Sequence, residues 1–374
     1  MNDDADGARP LPPARTDIAA RRLLQQRLAG HRLAGPADVV SWLCAVQAQD
    51  YPGAKWAIGL RMRDASDVAV ERAFADGTIL RTHVMRPTWH FVSPKDLRWM
   101  LELTAPRIKG FNAHMHRELR LDEELFSRSN SVIARALEGR RYLTREELGV
   151  ALADAGIVAK GPRLAYLIMR AELDAVVSSG PRRGRQSTYA LLDERVPQTA
   201  GLGRDEALGE LALRYFKGHG PATLRDLSWW SGLTATEAKA GLRMASHHLE
   251  SETMAGGVYW FPRPAKAAAG ESELALLLPA FDEFFIGYSG FGRSRSGGSR
   301  GESDPVYNSP VLLGGLVIGS WRRAFKGEAV IVDAAPFANL GDAESELVSS
   351  AAERYGRFVG MPVEITITKP SHPG

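Results

Sequence analysis

The sequence predicts an α+β protein in which three tandem helix–turn–helix units, each closed by a pair of short strands, precede a small β-rich C-terminal domain. Three observations predict it. A divergent repeat of helix, turn and helix, third helix and strand pair recurs between residues 16 and 270. The stretches Thr144-Arg145-Glu146-Glu147 and Thr234-Ala235-Thr236-Glu237 have the form of capping boxes, in which a threonine and a glutamate three residues on satisfy the free N–H groups of a helix start. From about Glu273 the texture changes to short apolar, strand-like runs.

The first copy is the longest, with helices over residues 18–28, 36–46 and 67–75, strands over 80–86 and 88–92, and a linking helix over 94–103. In the second, a helix over 131–137 is followed by the capped helix to residue 155 and by a third that Pro162 opens. Strands over 174–178 and 187–192 flank an arginine loop. The third copy has helices over 208–216, from Pro221-Ala222-Thr223 to 230, and over 238–245, then strands over 249–254 and 258–261 across the hairpin signal Gly256-Gly257. Beyond lie strands over 274–278, 311–313, 316–318, 329–332 and 363–368 with an amphipathic helix over 343–358, read as a partial barrel. The expected organisation is a frayed N-terminus (1–15), three units (16–120, 121–200, 201–270) and a final domain (271–374).

A helix–turn–helix followed by a β-wing is the winged-helix unit, whose third helix can enter a major groove while the wing touches the backbone. Three in tandem would make a long, curved nucleic-acid surface. Winged helices also serve as protein-interaction modules, so the pattern alone leaves both roles open.

Composition narrows the classes. Lys+Arg number 47 against 44 Asp+Glu, a formal net charge of +3, so any basic surface must come from local clustering. The single cysteine, Cys44, excludes an internal disulfide, a cysteine-rich zinc site and a Cys-x-x-Cys pair, and its apolar neighbours mark it as a buried hydrophobe. No apolar run approaches the roughly 20 residues of a membrane helix. The acidic, proline-rich start lacks the apolar core of a secretory signal, so a cytoplasmic protein is expected. Phosphate-loop and His-Glu-x-x-His motifs are absent, Gly287-Tyr288-Ser289-Gly290-Phe291 misses the nucleophile elbow at its last position, and Gly290-Phe291-Gly292 lacks the third glycine of a dinucleotide fingerprint. The spacings of His114 with His116 and of His247 with His248 do not put two ligands on one helix face, so neither metal nor cofactor is expected.

Arginines cluster at Arg182, Arg183 and Arg185, at Arg293, Arg295 and Arg300, and at Arg322 and Arg323. Guanidinium forks suit phosphate oxygens, and solvated loops are the alternative reading. The stretch Arg81-Thr82-His83-Val84-Met85-Arg86-Pro87-Thr88-Trp89-His90-Phe91-Val92 interleaves basic and aromatic residues. Trp89 and Phe91 share a strand face and read as core, leaving Arg81, His83, Arg86 and His90 as candidate nucleic-acid contacts. In Gln47-Ala48-Gln49 two glutamines flank a small residue. They can converge only if the helix ends between them, and Pro52-Gly53 makes that ending plausible. Two exposed helix-end amides are the alternative.

Gln47-Ala48-Gln49, the 81–92 stretch, the 220–233 stretch with Trp229-Trp230, Pro279-Ala280-Phe281-Asp282-Glu283-Phe284 and Gly319-Ser320-Trp321-Arg322-Arg323 together resemble the AlkZ/AlkX-type winged-helix DNA glycosylases, from about Ile18 to the C-terminus. The resemblance implies three winged helices and a β-rich domain forming a C-shaped DNA channel. The family's catalytic motif is glutamine, an apolar residue, then glutamine or aspartate. That implies catalytic roles for Gln47 and Gln49; Asp50, which lies one residue late for the aspartate form, Asp282 and Glu283 are secondary candidates should the chemistry lie elsewhere.

A neutral glutamine is not an effective general base, but it can orient water and offer dipoles to developing charge. This suffices when the leaving group is already activated, as in a purine carrying positive charge after alkylation. The expectation is a monofunctional, monomeric DNA glycosylase releasing N7-alkylguanine or N3-alkyladenine from double-stranded DNA, with interstrand crosslinks as a further candidate substrate. The alternatives are a non-catalytic winged-helix DNA-binding or regulatory protein, which release of free base would exclude, and a protein-interaction scaffold, which salt-dependent DNA binding would exclude.

Overall fold

A computed structural model describes residues 13–198, 201–263, 274–290 and 309–368. After α1 (Pro13–Gln25), one order of elements appears three times: helix, short strand, two helices, antiparallel strand pair. First come α2 (Pro36–Leu43), β1 (Ala45–Gln47), α3 (Tyr51–Leu60), α4 (Asp67–Ala75), β2 (Leu80–His83) and β3 (Trp89–Val92), with sheet order β1-β3-β2. The long α5 (Pro94–Glu118) leads to α6 (Glu123–Leu137), β4 (Leu143–Thr144), α7 (Arg145–Asp154), α8 (Pro162–Leu173), β5 (Val177–Arg183) and β6 (Gln186–Leu191), with sheet order β4-β6-β5. After α9 (Leu192–Arg195) follow α10 (Arg204–His219), α11 (Leu224–Ser231), α12 (Ala235–Ala245), β7 (Leu249–Met254) and β8 (Gly257–Pro262). Here the short strand is reduced to one bridge between Ala222 and Trp260.

Local chemistry explains the helix starts. Thr144 and Glu147 exchange hydrogen bonds at the start of α7, and Thr234 and Glu237 do the same at α12, so both expected capping boxes form. Thr223 and Asp226 make a third at α11. Each satisfies N–H groups that the first helical turn leaves without partners.

The first copy departs from expectation. The helix expected over 36–46 stops at Leu43, because Cys44 takes a left-handed φ of 69°, and residues 45–47 become β1, paired antiparallel to β3. Pro52-Gly53 do not end a helix but lie in the first turn of α3, which the sequence reading missed. Proline fits there because its missing N–H has no intrahelical acceptor at that position. Glycine fits because Asp50 folds back over it: a Cβ at Gly53 would lie 2.4 Å from Asp50 Oδ2. In the second copy β5 runs through Arg182 and Arg183, so the arginine loop is only Gly184-Arg185.

The last sheet contains β9 (Ala275–Leu277), β10 (Pro310–Leu313), β11 (Leu316–Lys326), β12 (Ala329–Pro336) and β13 (Val363–Ile367), in the order β13-β12-β11-β10-β9. Among the described residues it is an open sheet rather than a partial barrel, with β13 added parallel to β12 after α14 (Asp342–Val359). Its apolar core is continuous with that of α2, α3 and α4. The indole of Trp56 crosses the seam to donate to the Leu277 carbonyl at 2.7 Å, and within the last sheet that of Trp321 donates to the Leu278 carbonyl at 2.7 Å. A second core joins β2 and α5 to α10, α11 and α12, and the second copy has a core of its own. Cys44 is buried and free, as expected. Among the described residues, no helix is long and apolar enough to cross a membrane.

Candidate active site

The two glutamines stand at the end of β1 and just beyond it. In the β1–β3 register Gln47 faces His90, and the ladder extends one residue further, with the Ala48 N–H donating to the Trp89 carbonyl at 2.7 Å. Gln47 is 7% exposed. Its backbone N–H donates to Glu283 Oε1 at 2.8 Å, and its side-chain Oε1 accepts from Arg86 Nη2 at 2.8 Å. Gln49, past the strand, is exposed, and its Oε1 receives only a long contact of 3.4 Å from the Trp89 N–H. The glutamines therefore sit at a strand end, not at the expected helix end.

Beneath Gln47 lies a fully buried polar knot. α13 (Glu283–Ile286) starts under β1, and Glu283 Oε2 accepts from Trp230 Nε1 at 2.9 Å and lies 3.3 Å from His219 Nε2. Burial works to raise the Glu283 carboxyl, but the hydrogen bonds from His219 and the Gln47 backbone bring it below its ordinary value. The neighbouring Asp282 is also fully buried. It caps α13 by accepting from the Phe284 N–H, and it holds Arg61 through two bonds of 2.9 and 2.8 Å. The geometry thus gives Asp282 a structural place between α3 and α13, and Glu283 a place behind Gln47.

Around Gln49 the surface is basic and aromatic. Arg81 Nε donates to the Ala48 carbonyl at 3.0 Å, and its guanidinium lies 4.3 Å from the Trp89 ring centre. Arg182, from the strand pair of the second copy, lies 4.7 Å from the ring centre of Tyr51. Among the described residues neither arginine forms an ion pair. The Tyr51 hydroxyl donates to Glu71, which Lys55 also holds, so this ring is fixed from behind. Asp50 is half-buried, with its carboxylate 3.8 Å from Arg323.

Other expected contacts fall elsewhere. His83 is buried and bonded to Glu172, and His90 is buried with Nδ1 3.0 Å from the Thr88 carbonyl, so neither histidine presents itself to a backbone phosphate. Arg86 turns inward to Gln47 rather than outward. Arg183 is engaged by Glu147 at 2.7 Å, whereas Arg185 is exposed. Arg322 and Arg323 alternate along β11, so only Arg323 shares the side of Trp321 and comes near Asp50. Arg293, Arg295 and Arg300 lie outside the described residues. Trp89, expected in the core, is half-buried at the edge of the site, while Phe91 is in the core as expected. Tyr51, His219 and Trp230 join the site through tertiary packing that no local spacing signals. Among the described residues no group of three His, Cys, Asp or Glu could hold a metal ion.

Burial, with the charge of Arg86 added, pushes the His90 imidazole down to about 3. The ring is then neutral in the folded protein, while an unfolded histidine takes up a proton near pH 6.5. A value depressed by folding supports stability above pH 6.5, and that support is lost as pH falls toward 3. The expected slope from this one group is about 1.4 kcal/mol per pH unit within that window. Denaturant melts at pH 7, 5.5 and 4 should show a steeper acid loss in the wild type than in His90→Gln. Equal slopes would show that His90 takes up its proton in the folded state.

The end of β1 thus carries two amides, one backed by a buried carboxylate and the other in a basic and aromatic surface, and comparison with known proteins places the chain among the DNA glycosylases. A family model described as DNA glycosylase AlkZ-like matches residues 40–358. The chain belongs to this AlkZ-like DNA glycosylase family. It is 26% identical over 373 residues to the interstrand DNA cross-link repair glycosylase of Streptomyces sahachiroi, covering 93% of this chain and 98% of that protein. Its fold matches the solved structure of Streptomyces sahachiroi DNA glycosylase AlkZ with a TM-score of 0.76, at 22% identity, over 94% of this chain and 99% of the other.

Proposed function

We propose that the enzyme hydrolyses the N-glycosidic bond of cationic N-alkylated purines in double-stranded DNA, with Gln47 and Gln49 as the catalytic residues. The observation that carries this reading is the pair of neutral amides at the end of β1, one anchored and one exposed. In a purine alkylated at N7 of guanine or N3 of adenine, the C1′–N bond breaks with its electron pair going to the base, which leaves neutral. The sugar becomes oxocarbenium-like, the oxygen of a water bonds to C1′, and one proton passes to solvent. Amides can hold that water and meet the developing charge with dipoles, without protonating the base. Asp50, one residue on and half exposed, remains a second candidate for facing the sugar cation. The interstrand crosslink activity named for the Streptomyces relative is a candidate activity here too.

We read the three repeated units as winged helices and the enzyme as a monomer gripping DNA in a concave channel. The order of helix, short strand, two helices and strand pair, with the first strand added beside the last, supports this in the first two copies. Arg81 over Trp89, Arg182 against Tyr51 and Arg323 near Asp50 are assigned to phosphates flanking the lesion. Arg182→Ala should weaken binding alike for all sequences and flatten the plot of log K against log salt by about one unit. Arg183→Ala, which releases a side chain already held by Glu147, should change the slope less. Equal effects would return Arg182 to a purely structural role.

The direct test is duplex DNA carrying N7-methylguanine, with chelator present, scored for abasic sites before and after alkaline cleavage. The reading expects free base and intact abasic strands, because no amine nucleophile is assigned. Binding without release would contradict it.

A further inference from the structure

Arg86 is an unusual cation, half-buried with its Nε enclosed. Among the described residues its guanidinium donates to a single partner, Gln47 Oε1, and its Nε–H is buried without one. Among the described residues no carboxylate pairs with it. The buried carboxylate Glu283 accepts instead from the Gln47 backbone N–H. The turn that carries Arg86 is pressed against the third copy: a Cβ at Gly232 would lie 2.6 Å from the Met85 carbonyl and 3.5 Å from Arg86 Cγ. Enclosing the Nε–H of a guanidinium without a partner, with one neutral acceptor for the rest of the group, is costly, so stability alone does not account for the arrangement.

The contact has a chemical consequence. Arginine only donates, so an amide that meets it must present oxygen, and the Gln47 –NH₂ group is thereby turned the other way. Gln49 is not constrained in this manner, because its Oε1 has only the 3.4 Å contact from Trp89. Gln47 is thereby left with its donor to offer a ligand, whereas Gln49 is free to offer its acceptor.

We infer that Arg86 is a positioning residue that fixes the polarity of the Gln47 amide, so that Gln47 donates to the oxygen of the attacking water while Gln49 accepts from one of its protons. This rests on the hydrolytic reading given above and specifies how its two glutamines divide the work. It also separates Arg86 from the arginines assigned to phosphates, since its contribution passes through Gln47 and not through DNA affinity.

The test is a double-mutant cycle in the full-length enzyme with N7-methylguanine duplex, reading the single-turnover excision rate and the Kd for DNA. Arg86→Met should slow excision by about tenfold or more, the scale of a hydrogen bond to a charged group, at nearly unchanged Kd. Arg86→Lys should recover part of the rate. Arg86→Met combined with Gln47→Ala should be no slower than Gln47→Ala alone. Gln47→Glu, which keeps the bond to Arg86 but loses the –NH₂ donor, should be as impaired as Gln47→Ala, while Gln49→Glu, which keeps an acceptor, should retain more activity than Gln49→Ala. Additive losses in the cycle, a loss confined to Kd, or an active Gln47→Glu enzyme would overturn the proposal. Wild-type enzyme that leaves N7-methylguanine in place would instead contradict the substrate reading itself.

Discussion

Gln47→Ala or Gln49→Ala should lower the single-turnover excision rate by about 10²-fold or more, the scale of removing one hydrogen-bonding dipole aimed at the developing charge, with DNA binding near normal. The two changes differ in their structural consequences. Gln49 is exposed and its side chain makes one long contact, so its removal should leave the melting temperature unchanged. Removing the Gln47 side chain strands the Arg86 guanidinium without its acceptor, so that variant should also lose some stability. Activity assays paired with melts separate the two effects. Full activity in the double variant would move the chemistry to Asp50, the next polar group along the loop.

Arg61→Met is expected to destabilise the protein by about 3–5 kcal/mol, because it leaves the Asp282 carboxylate buried without its partner. Both side chains of this pair are 0% exposed. Arg61 also donates to Gln26 Oε1 at 2.7 Å and to the Ala57 carbonyl at 2.8 Å, so one residue ties α1, α3 and α13 together. The excision rate per folded molecule should survive, since neither Arg61 nor Asp282 touches either glutamine. Chemical denaturation combined with active-site titration decides it. A stable Arg61→Met protein with lost excision would place Asp282 in the chemistry after all.

What could be read from the sequence was what is local. The capping boxes at Thr144 and Thr234, the proline that opens α8 and the Gly256-Gly257 hairpin each depend on neighbours within a few residues, and each formed where expected. The end of α2 was not legible, because Cys44 adopts its left-handed backbone without a glycine or proline to announce it. The same dipeptide, Pro52-Gly53, is compatible with the end of one helix or the start of another. What decides between them is the fold-back of Asp50 and the docking of α3 on a sheet more than 200 residues away. Gln47 and Gln49 could be named from their motif, but their setting could not. Glu283, His219 and Trp230 reach Gln47 through tertiary packing, and Arg182 reaches Tyr51 from another copy of the repeat. His83 and His90 show the converse: an alternation of basic and aromatic residues reads as a surface, yet the strands β2 and β3 bury both histidines, and in the turn between them Arg86 bends in to Gln47.

The central claim is that a site of neutral amides depends on a leaving group already activated by its charge. The most direct measurement is the single-turnover excision rate on matched duplexes that differ only in the target base: N7-methylguanine, N3-methyladenine, uracil, 8-oxoguanine and hypoxanthine. Each 1.4 kcal/mol of barrier is about a tenfold change in rate, and a neutral base departs as an anion unless it is protonated. The account predicts ready release of the two cationic purines and slow or absent release of the three neutral bases. Efficient release of uracil would contradict it.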